Sequence, residues 1–191
     1  MIRRDFLCYG MLTILGVGIS LSEAGNIVCP VSTDDSVRRW GKMDIKYAIH
    51  GRDGDLDKEV WDRQFNLAFK SWERVTPIKF TQVDTIDEHD IHITTGGYED
   101  DSRFGSLGGI LAWAQLPRGS KFNGTLITKF DIAEEWTLHK LLAVASHEVG
   151  HLLGLRHSAN KRALMYPYIG NICEPQSEDI QRIQELYGKP F

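Results

Sequence analysis

His147-Glu148-Val149-Gly150-His151-Leu152-Leu153-Gly154-Leu155-Arg156-His157 is the stretch of this 191-residue chain on which both its fold and its chemistry turn. On a helix, residues four apart share a face, so His147 and His151 can offer their imidazoles to a single ion. Glu148 lies beside them, able to reach a water at that ion without becoming a ligand. Gly154 lets the chain leave the helix at positive φ, which a residue with a Cβ resists, and the turn brings His157 round as third ligand. Three protein ligands leave one position of a tetrahedral zinc site open, which marks a catalytic site rather than a closed structural one. This reading expects one zinc ion on His147, His151 and His157, with Glu148 as catalytic base.

Working outward, Thr137 is an N-cap candidate for the helix that carries the motif. That helix runs to about Gly154 and buries Leu138, Leu141, Leu142, Ala145, Val149 and Leu152. A second amphipathic helix is expected over residues 57–75, with Trp61, Phe65, Ala68, Trp72 and Val75 on one face, Asp57 as N-cap and Pro77 beyond its end. Residues 43–50 alternate like a half-buried strand, and a turn follows over 51–54. Further strands are expected over 78–83, 91–95, 110–116 and 126–130, with a Gly- and Asp-rich loop at 96–109. A last helix spans 177–187 and is closed by Gly188. Five strands, two long helices and a C-terminal helix imply a single α+β domain, whose strand order this pattern does not give.

The extended histidine motif resembles that of the metzincin metallopeptidases. Ser158, directly after the third histidine, and Ala163-Leu164-Met165-Tyr166-Pro167 resemble the matrixin branch, the matrix metalloproteinases. Ala68-Phe69-Lys70-Ser71-Trp72, Thr76-Pro77-Ile78-Lys79-Phe80 and the ending Asp179-Ile180 to Gly188 are similar too, so the resemblance covers about Trp40 to Gly188. It implies a metzincin-like α/β sandwich on a five-stranded mixed sheet, zinc endopeptidase activity, and Met165 as an apolar floor under the metal. It also implies that Leu111, Ala112, Trp113 and Ala114 form an edge strand that pairs with extended substrate. A specificity pocket is implied beside Tyr168, with Ile169 at the family's wall-tyrosine position.

Three departures from the family stand out. Asp100 matches the aspartate of a structural zinc site, but the histidine positions fall on Tyr98, Trp113 and Lys129, so that second zinc is not expected. Asp131 and Glu134 match two carboxylates of a calcium site, while Gly105 replaces its loop aspartate; they read either as a weakened calcium site or as two surface acids near a turn. No Arg-Cys-Gly latency peptide occurs. Cys29 is open to a disulfide with Cys173, to a free state, or to zinc ligation as a thiolate.

Residues 1–24 read as a signal peptide. Arg3 and Arg4 precede an apolar run from Phe6 to Leu21, and Ser22-Glu23-Ala24 resembles a cleavage site. The arginine pair admits a twin-arginine version of that signal. Residues 25–41 would then be an N-terminal arm and 42–191 the catalytic domain of a secreted (extracellular or periplasmic) protein. Net charge is −4 with no basic block, which excludes an electrostatic footprint for nucleic acid or for a membrane surface after signal removal. The expected partner is a protein or peptide substrate in extended conformation, and the expected state a monomer. The competing class is a catalytically silent zinc-binding interaction module on the same scaffold.

Overall fold

A computed structural model describes residues 36–51, 56–84, 88–105 and 107–190. The expected signal peptide, Cys29, most of the arm and most of the 51–54 turn lie outside the described residues. The elements are β1 (Asp44–Ile49), α1 (Lys58–Glu73), β2 (Lys79–Gln82), β3 (Ile91–Gly96), β4 (Ala112–Ala114), β5 (Leu126–Asp131), α2 (Leu138–Leu152) and α3 (Ser177–Tyr187). They form the expected α+β domain on a five-stranded mixed sheet ordered β2-β1-β3-β5-β4. β1, β2, β3 and β5 are parallel, and β4 alone runs antiparallel, at the edge beside β5.

Alternation along the strands sorts the two faces of the sheet. Ile45, Tyr47, Ile49, Ile91, Ile93, Leu126 and Phe130 point into the main core, where Trp61, Phe65, Phe69 and Trp72 of α1 meet them. Tyr47 stacks on Phe69 at 4.1 Å between ring centroids, and Phe65 meets Phe130 edge-on at 5.2 Å. Val144, Ala145, Val149 and Leu152 bring α2 into the same core. β4 is shorter than the 110–116 run expected for it. Ladder bonds nevertheless continue past both ends, from Asp131 N–H to the Leu111 carbonyl (2.9 Å) and from Gln115 N–H to the Ile127 carbonyl (3.0 Å).

The C-terminal end of α2 is fixed by segments distant in sequence. Helix ends leave carbonyls without intrahelical donors, and here Trp40 Nε1–H donates to Leu152 (2.8 Å) while the Tyr187 hydroxyl donates to Leu153 (2.8 Å). The Thr137 side chain accepts from Lys140 N–H at the other end, as its expected N-cap role requires. Asp57 occupies the N-cap of α1 without a side-chain capping bond.

Candidate metal centre

α2 presents His147 and His151 one turn apart, and the chain then turns at Gly154, whose φ is 101°. A Cβ there would collide with the Arg38 carbonyl oxygen, so glycine is required both by the dihedral and by the close approach of the N-terminal segment. The turn carries His157 back to the first two histidines. Ring centroids stand 4.7 Å (147–151), 5.3 Å (147–157) and 4.9 Å (151–157) apart. One ligand atom from each ring lies within 4.8 Å of the others, the single such group of three or more among the described residues.

Backbone carbonyls orient the first two rings. His147 Nδ1–H donates to Leu164 (2.8 Å) and His151 Nδ1–H to Leu155 (2.7 Å). A carbonyl can only accept, so each ring keeps its proton on Nδ1 and turns a bare Nε2 inward; the two Nε2 atoms are 3.0 Å apart. Burial holds His147 down to about 3, and burial, with Arg182 adding, holds His157 down to about 4. Burial, followed by the neighbouring histidines, also holds His151 well below its ordinary value. Neutral imidazoles have no proton to release before they ligate a cation. The three residues therefore fit zinc: the donor set, its protonation and its convergence all agree.

Glu148 is fully buried on the same helix, and Met165 is buried against that helix at Gly150. Gly150 makes that packing possible, since a Cβ there would overlap the Met165 sulfur and crowd the Trp72 ring. The Trp72 indole in turn donates to the Ser146 carbonyl at 2.9 Å.

Asp179, in the sequence only part of the family-like C-terminal ending, has a role at the site. Its buried carboxylate accepts from Leu164 N–H (2.7 Å), Met165 N–H (3.1 Å) and Gln176 N–H (2.9 Å). It thus holds the turn whose Leu164 carbonyl orients His147. The available signal was the spacing Gln176-x-x-Asp179, which forms a capping box at the start of α3. Asp179→Ala should strand two buried N–H groups, costing about 2 kcal/mol, and should weaken zinc affinity roughly 10-fold by loosening an outer-shell support. Competition against a chelator measures this, and unchanged affinity would remove Asp179 from the support of His147.

Asp131 and Glu134, read as a weakened calcium site or as two surface acids, are both buried. Glu134 is buried and its two oxygens face protein donors, the Gly108 N–H and the Lys140 ammonium at 2.6 Å. Asp131 gives one oxygen to Ala133 N–H at 2.9 Å, which leaves Oδ2 buried without a partner. Burial, with Glu134 adding, raises the Asp131 carboxyl above its usual range. Calcium takes six or more oxygens, so this arrangement does not fit calcium: an ammonium already holds the buried carboxylate.

At the family's structural-zinc positions, the Trp113 indole donates to Asp101 at 2.8 Å, and the Arg103 guanidinium covers the ring at 3.7 Å. Asp100 and Lys129 border the same surface cleft as Trp113, whereas Tyr98 is exposed. Leu111, Ala112, Trp113 and Ala114 are all buried, three of them forming β4 at the sheet edge. Tyr168, 39% exposed, borders a cavity of about 100 Å³ together with Val144, His147, Leu164, Tyr166 and Ile169. Among the described residues Cys173 has no disulfide partner, and its sulfur lies 3.4 Å from His139 Nδ1.

A mixed-sheet domain with a helix-borne histidine pair, a third histidine after a glycine turn and an adjoining carboxylate defines the class of metallopeptidase domains. The matrixin family model matches residues 39–188. The chain is 39% identical over 160 residues to matrix metalloproteinase-18 of Xenopus laevis, covering 78% of this chain and 33% of that protein. It is 40% identical over 159 residues to interstitial collagenase of Sus scrofa (78% and 33%), and 37% identical over 170 residues to stromelysin-1 of Equus caballus (83% and 35%). The chain belongs to the matrixin family, and so by family to the zinc metalloendopeptidases. Its match spans about a third of the length of these relatives.

Proposed function

We propose that this protein cleaves internal peptide bonds of extended protein substrates, with one zinc ion held by His147, His151 and His157 and with Glu148 as general base. The observation that carries the reading is the convergence of three imidazoles, two of them oriented by backbone carbonyls, beside a buried carboxylate on the helix that carries those two. When bound, zinc supplies Lewis-acid polarisation of the scissile carbonyl and lowers the pKa of water towards about 7. Glu148 takes the proton of the attacking water and returns it to the leaving amine, acting first as base and then as acid. β4 has β5 on one side and no strand on the other among the described residues, which suits backbone pairing with a substrate strand. Such pairing is indifferent to sequence, so preference must come from side-chain pockets. The cavity beside Tyr168 holds about 100 Å³, the share of about three liquid waters, and so favours a small or medium apolar side chain.

Residues 42–191 act in this proposal as the catalytic unit, and residues 1–24 as the leader that takes it out of the cell. No described helix is long and apolar enough to cross a membrane.

The test is zinc content together with casein or gelatin cleavage by the purified protein. One zinc equivalent at the histidine triad, with activity abolished by a chelator and restored by zinc, is the expected result. A triad loaded with zinc but inert on a broad peptide library would overturn the peptidase reading in favour of a silent binding module.

A further inference from the structure

A second group of three histidines lies outside the candidate centre, on the opposite face of the sheet from the core. His92 belongs to β3, where it pairs with Ala48 of β1 and alternates with the core-facing Ile91 and Ile93. His50 follows β1 and is tied to the same strand by its N–H, which donates to the Ile93 carbonyl at 2.9 Å. His89 stands just ahead of β3. Their ring centroids are 4.9 Å (50–92), 5.2 Å (89–92) and 6.0 Å (50–89) apart. The corresponding distances in the His147 triad are 4.7, 4.9 and 5.3 Å, so two sides of the second group nearly match and its 50–89 side is the wider one.

We propose that His50, His89 and His92 form a second site for a divalent transition-metal ion of the imidazole-preferring class, tying the end of β1 to the start of β3. His89 Nδ1 and His92 Nε2 are buried and have no hydrogen-bond partner. A buried nitrogen left unsatisfied keeps its desolvation penalty, and a metal bond satisfies it without a further donor. Among the described residues, the carboxylates flanking His89 are engaged elsewhere: Asp90 by the Lys42 ammonium (2.6 Å) and by Lys46 N–H (2.9 Å), and Glu88 by Lys46 at 3.2 Å. Burial, followed by His50 and His89, lowers the pKa of His92, which keeps that ring available as a neutral ligand. Imidazole donors select zinc, copper or nickel over calcium and magnesium.

His92 meets the other two rings edge-on, and the nitrogens of the group do not all fall within the 4.8 Å that the first triad satisfies. The remaining movement is ring rotation about χ2, a broad torsion, and His50 is exposed and free of core packing.

The experiment compares the full-length wild type with His50→Ala and His92→Gln after equilibration in zinc-buffered solution, counting zinc per chain and following thermal unfolding. The expected result is one zinc equivalent fewer in each variant. Added zinc should raise the wild-type Tm further than that of either variant, as linkage to a native-state site requires. Peptidase activity of His50→Ala should stay at the wild-type value, because the ion lost is not the one at His147. Equal zinc content in all three proteins overturns the proposal, as does a zinc-induced Tm rise that His50→Ala leaves unchanged. Because His50 is exposed, loss of folding does not obscure the comparison, and because the count is a difference, it holds whatever occupies the first site.

Discussion

Glu148→Gln should leave the zinc content of the protein unchanged and lower kcat/KM on a peptide substrate by about 10²- to 10⁴-fold, the usual contribution of a positioned general base. Glutamine keeps the shape of the buried side chain but has no lone pair basic enough to take a proton at neutral pH. The ligands are untouched, since the orienting bonds run from His147 and His151 to the Leu164 and Leu155 carbonyls rather than to Glu148. Zinc analysis alongside steady-state kinetics separates the possibilities. If the variant cleaves at the wild-type rate, Glu148 is not the base. If it loses zinc, Glu148 has a part in holding the ion, and the division of roles along the helix is wrong.

Lys140→Ala should be among the most destabilising single changes outside the core, by about 3–5 kcal/mol, because it strands a buried carboxylate without its cation. Glu134 and Lys140 side chains are 1% and 19% exposed and 2.6 Å apart, so solvent screens them little. The same ammonium donates to the Glu135 carbonyl at 3.2 Å and sits 5.3 Å from the Trp136 ring centroid, contacts that alanine also removes. For a domain of this length the loss corresponds to a Tm lower by roughly 10 °C or more. The Glu134→Gln/Lys140→Met double variant removes both charges and should recover part of the loss. Calcium should leave the wild-type Tm where it is. A calcium-dependent rise in wild-type Tm would show that the Lys140 ammonium does not take the cation's place.

Much of the domain was legible in the sequence because its elements announce themselves locally. The i, i+4 histidines, the aromatic stripe of α1, Thr137 and Gly188 place the helices within a residue or two of where the structure has them. The strands fall at the expected positions as well, with β4 trimmed to its central residues. Gly154 is the clearest single case: the spacing to His157 demanded a turn, and the backbone there is at φ 101°. Asp131 and Glu134 show the opposite. A family pattern marked them as possible calcium ligands, but whether a carboxylate meets a metal or an ammonium depends on what folds over it. Lys140, six residues on and one turn into α2, could be recognised as that partner only in three dimensions.

By itself, then, the sequence determined which side chains the protein offers for chemistry: three histidines, one glutamate and the glycine that lets them meet, along with the helices and strands that carry them. It could do so because helical periodicity and turn stereochemistry act over a few residues. Only the tertiary structure decided the strand order β2-β1-β3-β5-β4, the carbonyls that set the histidine tautomers, the hold of Asp179 on the segment beneath them, and the approach of His50 to His89 and His92. Those depend on contacts between residues far apart in the chain, and a contact of that kind leaves no period or spacing to read.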